Sequence, residues 1–180
     1  GGTAATASGL AAGNYTVLVK DENQCSVSVP VQISQPDVLN LSYTSTNLAC
    51  NEIASGQINT LPFGGTQPYT YNWSNGQQTQ NISNLTAGSY HLILKDANSC
   101  QLDTNILITQ PDVLFVDLTK NEVECYGANT GSIDLTVTGG QTPYSYLWNN
   151  SQTTQDLSNL VAGSYSVLIT DANNCTLRKN

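Results

Sequence analysis

The chain has few of the side chains on which enzyme active sites and nucleic-acid interfaces depend. Its 180 residues include one histidine, His91, no methionine and only five lysines and arginines, against 13 acidic residues, for a net charge of −8. This leaves few general bases, metal-binding imidazoles or phosphate-binding groups, and the negative charge disfavours nucleic acid and anionic membrane surfaces. We therefore predict a protein that is not an enzyme, needs no cofactor and does not bind nucleic acid.

Long apolar runs and an N-terminal leader are also absent. No run approaches the roughly 18 apolar residues of a membrane span, so we predict no membrane insertion. The sequence begins Gly1-Gly2-Thr3, and we expect any secretion signal to lie outside it. Five cysteines in a chain rich in Asn, Gln, Ser and Thr favour an oxidising compartment outside the cytoplasm.

What the sequence does contain is a repeat with a period of 75 residues. The segments that recur at this step are Ala12-Gly13-Asn14-Tyr15, Ala87-Gly88-Ser89-Tyr90 and Ala162-Gly163-Ser164-Tyr165, together with Cys25, Cys100 and Cys175, and with Cys50 and Cys125. The register never slips, which indicates tandem copies of one folding unit.

The boundaries of the repeats are predicted at Gln35-Pro36-Asp37 and Gln110-Pro111-Asp112, because proline interrupts a strand. Residues 1–35 are then the C-terminal part of a first repeat, residues 36–110 a complete repeat, and residues 111–180 a repeat that lacks most of its last strand. We expect residues 1–35 to have too few strands to close a core, and to be ordered only by pairing with chain outside this sequence.

Within each repeat the apolar residues alternate with a period of two, which predicts an all-β unit. Six or seven short strands in 75 residues predict a small β-sandwich. The places of its tryptophans and tyrosines narrow this prediction to the immunoglobulin-like or PKD-like type. The predicted core aromatics are Trp73 and Trp148 on the third strand and Tyr15, Tyr90 and Tyr165, each at a tyrosine corner where its hydroxyl bonds a nearby backbone group. Ile58, Thr60 and Pro62 replace the cleaner alternation of Ile133, Leu135 and Val137, and we favour a bulge there over an exposed apolar patch.

Several motifs together resemble the SprB repeat of large Bacteroidetes gliding-motility and surface adhesins. They are Cys125-x-Gly127-x-x-x-Gly131, Gly139-Gly140-x-x-Pro143-Tyr144-x-Tyr146-x-Trp148, Leu160-x-Ala162-Gly163-x-Tyr165 and Asp171-Ala172-Asn173-x-Cys175. Repeat two departs from the pattern at Glu52 and repeat three at Ser151. The resemblance implies a non-catalytic cell-surface filament, exported by the type IX system and attached to the outer membrane, with the secretion and motility machinery as partners.

The cysteines fall into two classes, one before the second strand (Cys50, Cys125) and one in the last hairpin (Cys25, Cys100, Cys175). We favour bonds within each repeat, Cys50–Cys100 and Cys125–Cys175, with the partner of Cys25 outside this sequence. In an immunoglobulin-like topology, however, the two classes lie at opposite poles, farther apart than the Cα separation of about 4.4–6.8 Å that a disulfide tolerates. A bond between repeats, Cys50–Cys175, therefore stays open, as do free thiols.

Repeated acids at Asp21, Asp96 and Asp171, and at Asp37 and Asp112, raise the possibility of bound calcium. We favour turn chemistry instead, because calcium needs six or more converging oxygens; Asp37, beside a boundary, is the better calcium candidate.

Taken together, these features predict tandem sandwiches that form a rod and serve adhesion or motility at the cell surface. The predicted partners are neighbouring repeats and an external surface or polysaccharide. The alternative is a spacer or carbohydrate-binding module of a secreted multidomain hydrolase, which an exposed row of aromatics would favour.

Overall fold

A computed structural model describes residues 5–180, and the elements in this range are all β-strands. The strands are β1 (Gly13–Lys20), β2 (Ser26–Ile33), β3 (Asn40–Thr46), β4 (Gly56–Phe63), β5 (Thr70–Trp73), β6 (Ile82–Leu85), β7 (Gly88–Lys95), β8 (Gln101–Ile108), β9 (Phe115–Asn121), β10 (Gly131–Thr138), β11 (Ser145–Trp148), β12 (Leu157–Leu160), β13 (Val167–Thr170) and β14 (Thr176–Lys179). Within residues 5–180, no helix is long and apolar enough to cross a membrane.

Repeats two and three each form two three-stranded antiparallel sheets with the same strand order. In repeat two the orders are β3-β4-β6 and β5-β7-β8, and in repeat three they are β9-β10-β12 and β11-β13-β14. The apolar faces of the two sheets enclose a separate core in each repeat. The all-β class and the immunoglobulin-like repeat architecture predicted from the two-residue periodicity are therefore confirmed.

The aromatic residues of the predicted core differ in their burial. Trp73, Trp148 and Tyr90 are buried, whereas Tyr165 and Tyr15 are only partly buried. The indole N–H groups of the two tryptophans donate to backbone carbonyls six residues further on, Thr79 and Thr154, at 2.9 Å. The polar edge of each indole is thus satisfied inside the sandwich.

Each of the three corner tyrosines donates its hydroxyl to the backbone carbonyl four residues before it. The bonds are Tyr15 to Ala11 at 2.8 Å, Tyr90 to Thr86 at 3.0 Å and Tyr165 to Val161 at 3.0 Å. This arrangement fixes the direction in which the chain enters the strand that follows it, which is the role of a tyrosine corner.

The bulge favoured at residues 58–62 is not found there. β3 and β4 pair in continuous register from Asn40↔Phe63 to Thr46↔Gln57, so Leu61 and Phe63 point outward and are exposed. Pro62 is tolerated because β6 pairs only with the first residues of β4, which leaves the other edge free at that point. The register shift lies instead between β4 and β6, beside Asn84, whose φ is +56°.

The two outer parts of the chain contain less of the repeat. In repeat one, β1 and β2 form a hairpin, and none of its large apolar side chains is among the buried residues. In repeat three, β14 has four residues where β8 has eight.

A cavity of about 570 Å³ in repeat three, lined by Gly131, Trp148 and Leu160 among others, follows from this shorter strand. In repeat two, Ile108 packs against Gly56, the equivalent of Gly131. The cavity thus includes the position that the side chain of Ile108 fills in repeat two.

Candidate functional site: the junction between repeats two and three

The junction is built on the segment between β8 and β9, which leaves no free linker. Two contacts tie the end of repeat two to the loop between β3 and β4, residues 47–55, called here the cysteine loop. The backbone N–H of Leu48 donates to the carbonyl of Thr109 at 2.9 Å, and the N–H of Thr109 donates to Asn47 Oδ1 at 3.0 Å. The cysteine loop therefore lies beside the point where the chain leaves repeat two.

The same loop also contacts the boundary residues directly. Asn51 Nδ2 donates to the carbonyl of Pro111 at 3.0 Å, and the N–H of Glu52 donates to Gln110 Oε1 at 3.1 Å. Glu52 has a φ of +58°, where its equivalent in repeat three, Gly127, has +77°. The glycine missing from the Cys-x-Gly motif in repeat two is thus replaced by a residue held in a conformation that favours glycine.

From the side of repeat three, the junction is formed by the turn between β13 and β14, residues 171–175, which together with residues 96–100 of repeat two we call the cysteine hairpins. Asn173 Nδ2 crosses to repeat two and donates to the carbonyl of Ala49 at 2.9 Å. Polar contacts on both sides of the boundary therefore hold the cysteine loop of repeat two against the cysteine hairpin of repeat three.

A buried aspartate organises each complete cysteine hairpin. Asp171 Oδ1 accepts from the N–H groups of Asn173 and Cys175, both at 2.8 Å, and Oδ2 accepts from the N–H of Gln141 at 2.9 Å. Asp96 makes the matching three bonds, with Asn98, Cys100 and Thr66. The aspartates join the hairpin to the loop after the second strand of the repeat.

These contacts bear on the calcium hypothesis and on the acidity of Asp96. Burial of Asp96 acts to raise its pKa, but hydrogen bonds from the backbone of Thr66, Cys100 and Asn98, with a further bond from the Cys100 side chain, outweigh it and lower the pKa below 3.8. The carboxylate oxygens are engaged by backbone donors, which is the turn chemistry favoured above. Residues 5–180 contain no group of three or more potential metal ligands, and Asp37 and Asp112 are exposed.

The double glycine before the second sheet makes the hairpin contact possible. A Cβ at Gly64 would lie 2.1 Å from the carbonyl oxygen of Val38, and one at Gly65 would lie 2.9 Å from Asp96 Oδ2. Both residues have positive φ, +70° and +60°. The equivalent positions in repeat three, Gly139 and Gly140, are equally close to Val113 and Asp171.

A disulfide bond closes the junction by linking Cys50 of repeat two to Cys175 of repeat three, with the Cα atoms 5.6 Å apart. The predicted within-repeat bonds Cys50–Cys100 and Cys125–Cys175 are therefore wrong, and the alternative between repeats is the one formed. Cys25, Cys100 and Cys125 are unpaired and exposed within residues 5–180.

The length of β8 explains why the within-repeat bond is not made. The cysteine loop lies beside Thr109, at the end of β8, whereas Cys100 lies just before Gln101, at its beginning. Eight residues at about 3.3 Å each separate the two ends by about 26 Å, several times the distance that a disulfide spans. The next repeat begins at the Thr109 end, and it is this repeat that presents a cysteine there.

Sequence reasoning did not predict the junction contacts of Asn51, Gln110 and Asn173, although Gln110 stands in a predicted boundary and Asn173 in a SprB-like motif. Gln110 and Asn173 recur at the 75-residue step, as Gln35 and Asn98, so the repeat alignment could have marked both. Asn51 has no such signal, because its equivalent in repeat three is Tyr126. His91, the single histidine, lies away from the junction, with its Nε2 3.6 Å from Asp103 Oδ1 on the surface.

The fold and the junction together define a class of protein: a tandem array of small β-sandwiches whose neighbours are joined covalently as well as through the backbone. Two segments, residues 42–78 and 118–153, match the family model of the SprB repeat, one in each of repeats two and three. The resemblance to the SprB repeat that the motifs predicted is therefore confirmed in both repeats, and the match supports a repeat segment of a cell-surface protein. None of the curated proteins compared with the chain matches it.

Proposed function

We propose that the chain is a non-catalytic, tension-bearing segment of a long cell-surface adhesin filament that serves gliding motility or attachment. The filament is exported through the type IX system and attached to the outer membrane, where neighbouring repeats are its nearest partners and an external surface or polysaccharide is its target. The single observation that carries the proposal is the Cys50–Cys175 bond across the junction.

The bond changes the route by which force passes through the chain. A pull on the two ends reaches Cys50 and crosses directly to Cys175, so the residues between them carry no tension while the bond is intact. Both SprB-matched sandwiches lie largely or wholly inside this interval. A module that only spaces catalytic domains apart has no need for this protection, whereas a filament pulled against a surface does.

The same bond supports the proposed compartment. Structural disulfides persist in oxidising environments outside the cytoplasm, which supports placement on the cell surface. The alternative, a carbohydrate-binding module of a secreted hydrolase, is less well supported, because Trp73 and Trp148, the residues best suited to stack on sugar rings, are buried in the two cores.

Single-molecule force spectroscopy on the chain, held at its two termini, tests the proposal. Opening the junction bond allows the segment between Cys50 and Cys175 to extend. The two cysteines are 125 positions apart in sequence, and their Cα atoms are 5.6 Å apart when bonded. At about 3.4 Å per residue, the fully extended chain is then about 420 Å longer under reducing than under oxidising conditions. We expect Cys50→Ser to give the longer extension without reductant, and Cys125→Ser, which changes an exposed free cysteine, to behave as the unaltered chain.

Equal extension of the oxidised chain and the Cys50→Ser variant contradicts the proposal, because the bond would then not shield the repeats from force. Retention of the chain on an immobilised polysaccharide that is abolished by replacing exposed aromatics, without any effect of the bond on extension, favours the carbohydrate-binding alternative.

A further inference from the structure

The unpaired cysteines all occupy the same positions in their repeats as the two bonded ones, and two of them, Cys100 and Cys125, lie in repeats two and three. Cys125 stands one repeat after Cys50 in the cysteine loop of repeat three, residues 122–130, and Cys100 stands one repeat before Cys175 in the cysteine hairpin of repeat two. Both are exposed. Each therefore has the same place in its repeat as one half of the observed junction.

The hairpin half is already formed in the absence of a bond. The N–H of Cys100 donates to Asp96 Oδ1 at 2.8 Å, as the N–H of Cys175 does to Asp171 Oδ1. The turn is closed by the N–H of Asp96 to the carbonyl of Cys100 at 3.1 Å, against 3.0 Å for the equivalent bond of Cys175. The hairpin thus presents Cys100 in the same backbone geometry as its bonded equivalent.

The loop half is also formed. The N–H of Glu124 donates to Thr130 Oγ1 at 3.2 Å, matching the bond from the N–H of Ala49 to Ser55 Oγ at 3.3 Å in repeat two. Bond formation at the junction therefore joins two preorganised surfaces, which lowers the entropic cost of association.

We propose that Cys125 and Cys100 form the same bond with neighbouring copies of the repeat: Cys125 with the hairpin cysteine of a copy that follows, and Cys100 with the loop cysteine of a copy that precedes. The inference deepens the proposed function, on which its biological meaning rests. In each bond two S–H bonds break and one S–S bond forms, while the two electrons and two protons pass to a disulfide oxidant, which is reduced to two thiols.

The spacing gives such an array an unusual mechanical property. Each bond spans 125 residues, which is longer than one repeat, so that successive bonds overlap along the chain. A covalent path that uses every second bond jumps 125 residues through the disulfide and then follows about 25 residues of backbone to the next bond. It advances about 150 residues in this way, and its backbone part stretches to only about 85 Å. Without the bonds the same residues extend to about 500 Å. An overlapping series therefore limits extension about sixfold even when every sandwich is unfolded.

The test is an extended chain in which residues 106–180 are repeated after Asn180, so that residues 106–110 complete repeat three and a copy of residues 111–180 follows. The added copy carries Glu124→Asp and Thr176→Ser, at two exposed positions beside its cysteines, so that its cysteine peptides differ in mass from the original ones. After refolding with a glutathione redox couple, free thiols are alkylated and the disulfides are mapped by mass spectrometry without reduction. We expect the Cys50–Cys175 bond together with a second bond from Cys125 to the added copy of Cys175. Cys100 is expected to be alkylated, because the loop position 125 residues before it is not included in the extended chain.

Two controls make the result specific. In the unextended chain, Cys100 and Cys125 are both alkylated. In the extended chain with Cys125→Ser, the added hairpin cysteine is alkylated while Cys50–Cys175 remains.

Alkylation of Cys125 in the extended chain, or its bonding to Cys100 or to the original Cys175, overturns the inference, and the Cys50–Cys175 bond in the same sample shows that folding and oxidation took place. If that bond too is missing, the junction itself is refuted. The force measurement on the unextended chain is independent of this result, so the proposed function and the inference can fail separately.

Discussion

Removing the junction disulfide by the double substitution Cys50→Ser and Cys175→Ser is expected to destabilise repeats two and three by about 2–4 kcal/mol. The double change avoids leaving a single reactive thiol at the interface. The sandwiches themselves need no rearrangement, since neither cysteine belongs to the two hydrophobic cores. The loss therefore comes chiefly from the greater freedom of the unfolded chain.

The magnitude follows from the size of the closed loop. For the sequence separation of 125 residues, the chain-entropy relation gives about 4.9 kcal/mol at 25 °C. If one repeat unfolds while the other stays folded, the loop contains only about 60 residues and the same relation gives about 4.3 kcal/mol. The logarithmic dependence on length makes the expectation nearly independent of whether the repeats unfold together, and the typical measured range of about 2–4 kcal/mol sets the value we expect.

Urea denaturation and thermal unfolding, followed by the fluorescence of the two buried tryptophans, measure the effect. If a single repeat of about 75 residues is the unit that unfolds, a loss of about 2 kcal/mol in its free energy of unfolding lowers the melting temperature by roughly 8 °C or more. The matched control is Cys100→Ser with Cys125→Ser, which also removes one hairpin and one loop cysteine, but from exposed and unpaired positions. This control is expected to stay within about 0.5 kcal/mol of the unaltered chain.

Addition of reductant supplies a second check, because it should lower the stability of the unaltered chain to that of the Cys50→Ser, Cys175→Ser variant and leave the variant unchanged. The reasoning is refuted if the oxidised chain and the variant unfold at the same urea concentration, or if the control loses as much stability as the variant.

Three further predictions concern the contacts within repeat two. Gly64→Ala is expected to lower the free energy of unfolding by more than about 3 kcal/mol, because the new Cβ meets the Val38 carbonyl at 2.1 Å in addition to the strain of positive φ. Gly76→Ala, with positive φ but open space around it, should lower it by only about 1 kcal/mol. Equal losses for the two variants in denaturation experiments would contradict the steric argument. Since the pKa of Asp96 is lowered in the folded state, its contribution to stability is present above pH 3.8 and is lost as the pH falls through the folded-state pKa. Melting temperatures measured between pH 5 and pH 2 should therefore fall less steeply for Asp96→Asn than for the unaltered chain. An equal slope in the two proteins would show that this carboxylate is not responsible. Tyr90→Phe removes the hydroxyl bonded to Thr86 and should cost about 1 kcal/mol with the strand pairing intact, so a change in the far-ultraviolet circular dichroism would indicate a different role.

Much of the fold was predictable from local patterns, because a β-strand with one buried face must alternate. Trp73 and Tyr90 illustrate this: their places in alternating runs predicted an inward orientation, and both are buried. The corner bonds of Tyr15, Tyr90 and Tyr165 were predictable for a similar reason, since each joins residues only four positions apart.

The alternation pattern gave a wrong prediction at Pro62, where the pairing of the neighbouring strands decides the register. Pro62 suggested a bulge, because proline cannot pair in the middle of a sheet. The short β6 leaves that edge of β4 free, which no feature of β4 itself reveals. The register is therefore continuous, and Leu61 and Phe63 are directed to solvent.

By itself, then, the sequence determined the 75-residue period, the all-β class, the faces of the strands and the two classes of cysteine, because each depends on spacing along the chain. Only the tertiary structure decided which cysteines bond. Cys50 and Cys100 lie in one repeat but at opposite ends of β8, whereas the direct connection through Pro111 brings the hairpin of the next repeat, and with it Cys175, against the cysteine loop. Pairing is governed by distance in space, and in this chain a residue 125 positions away is nearer than one 50 positions away.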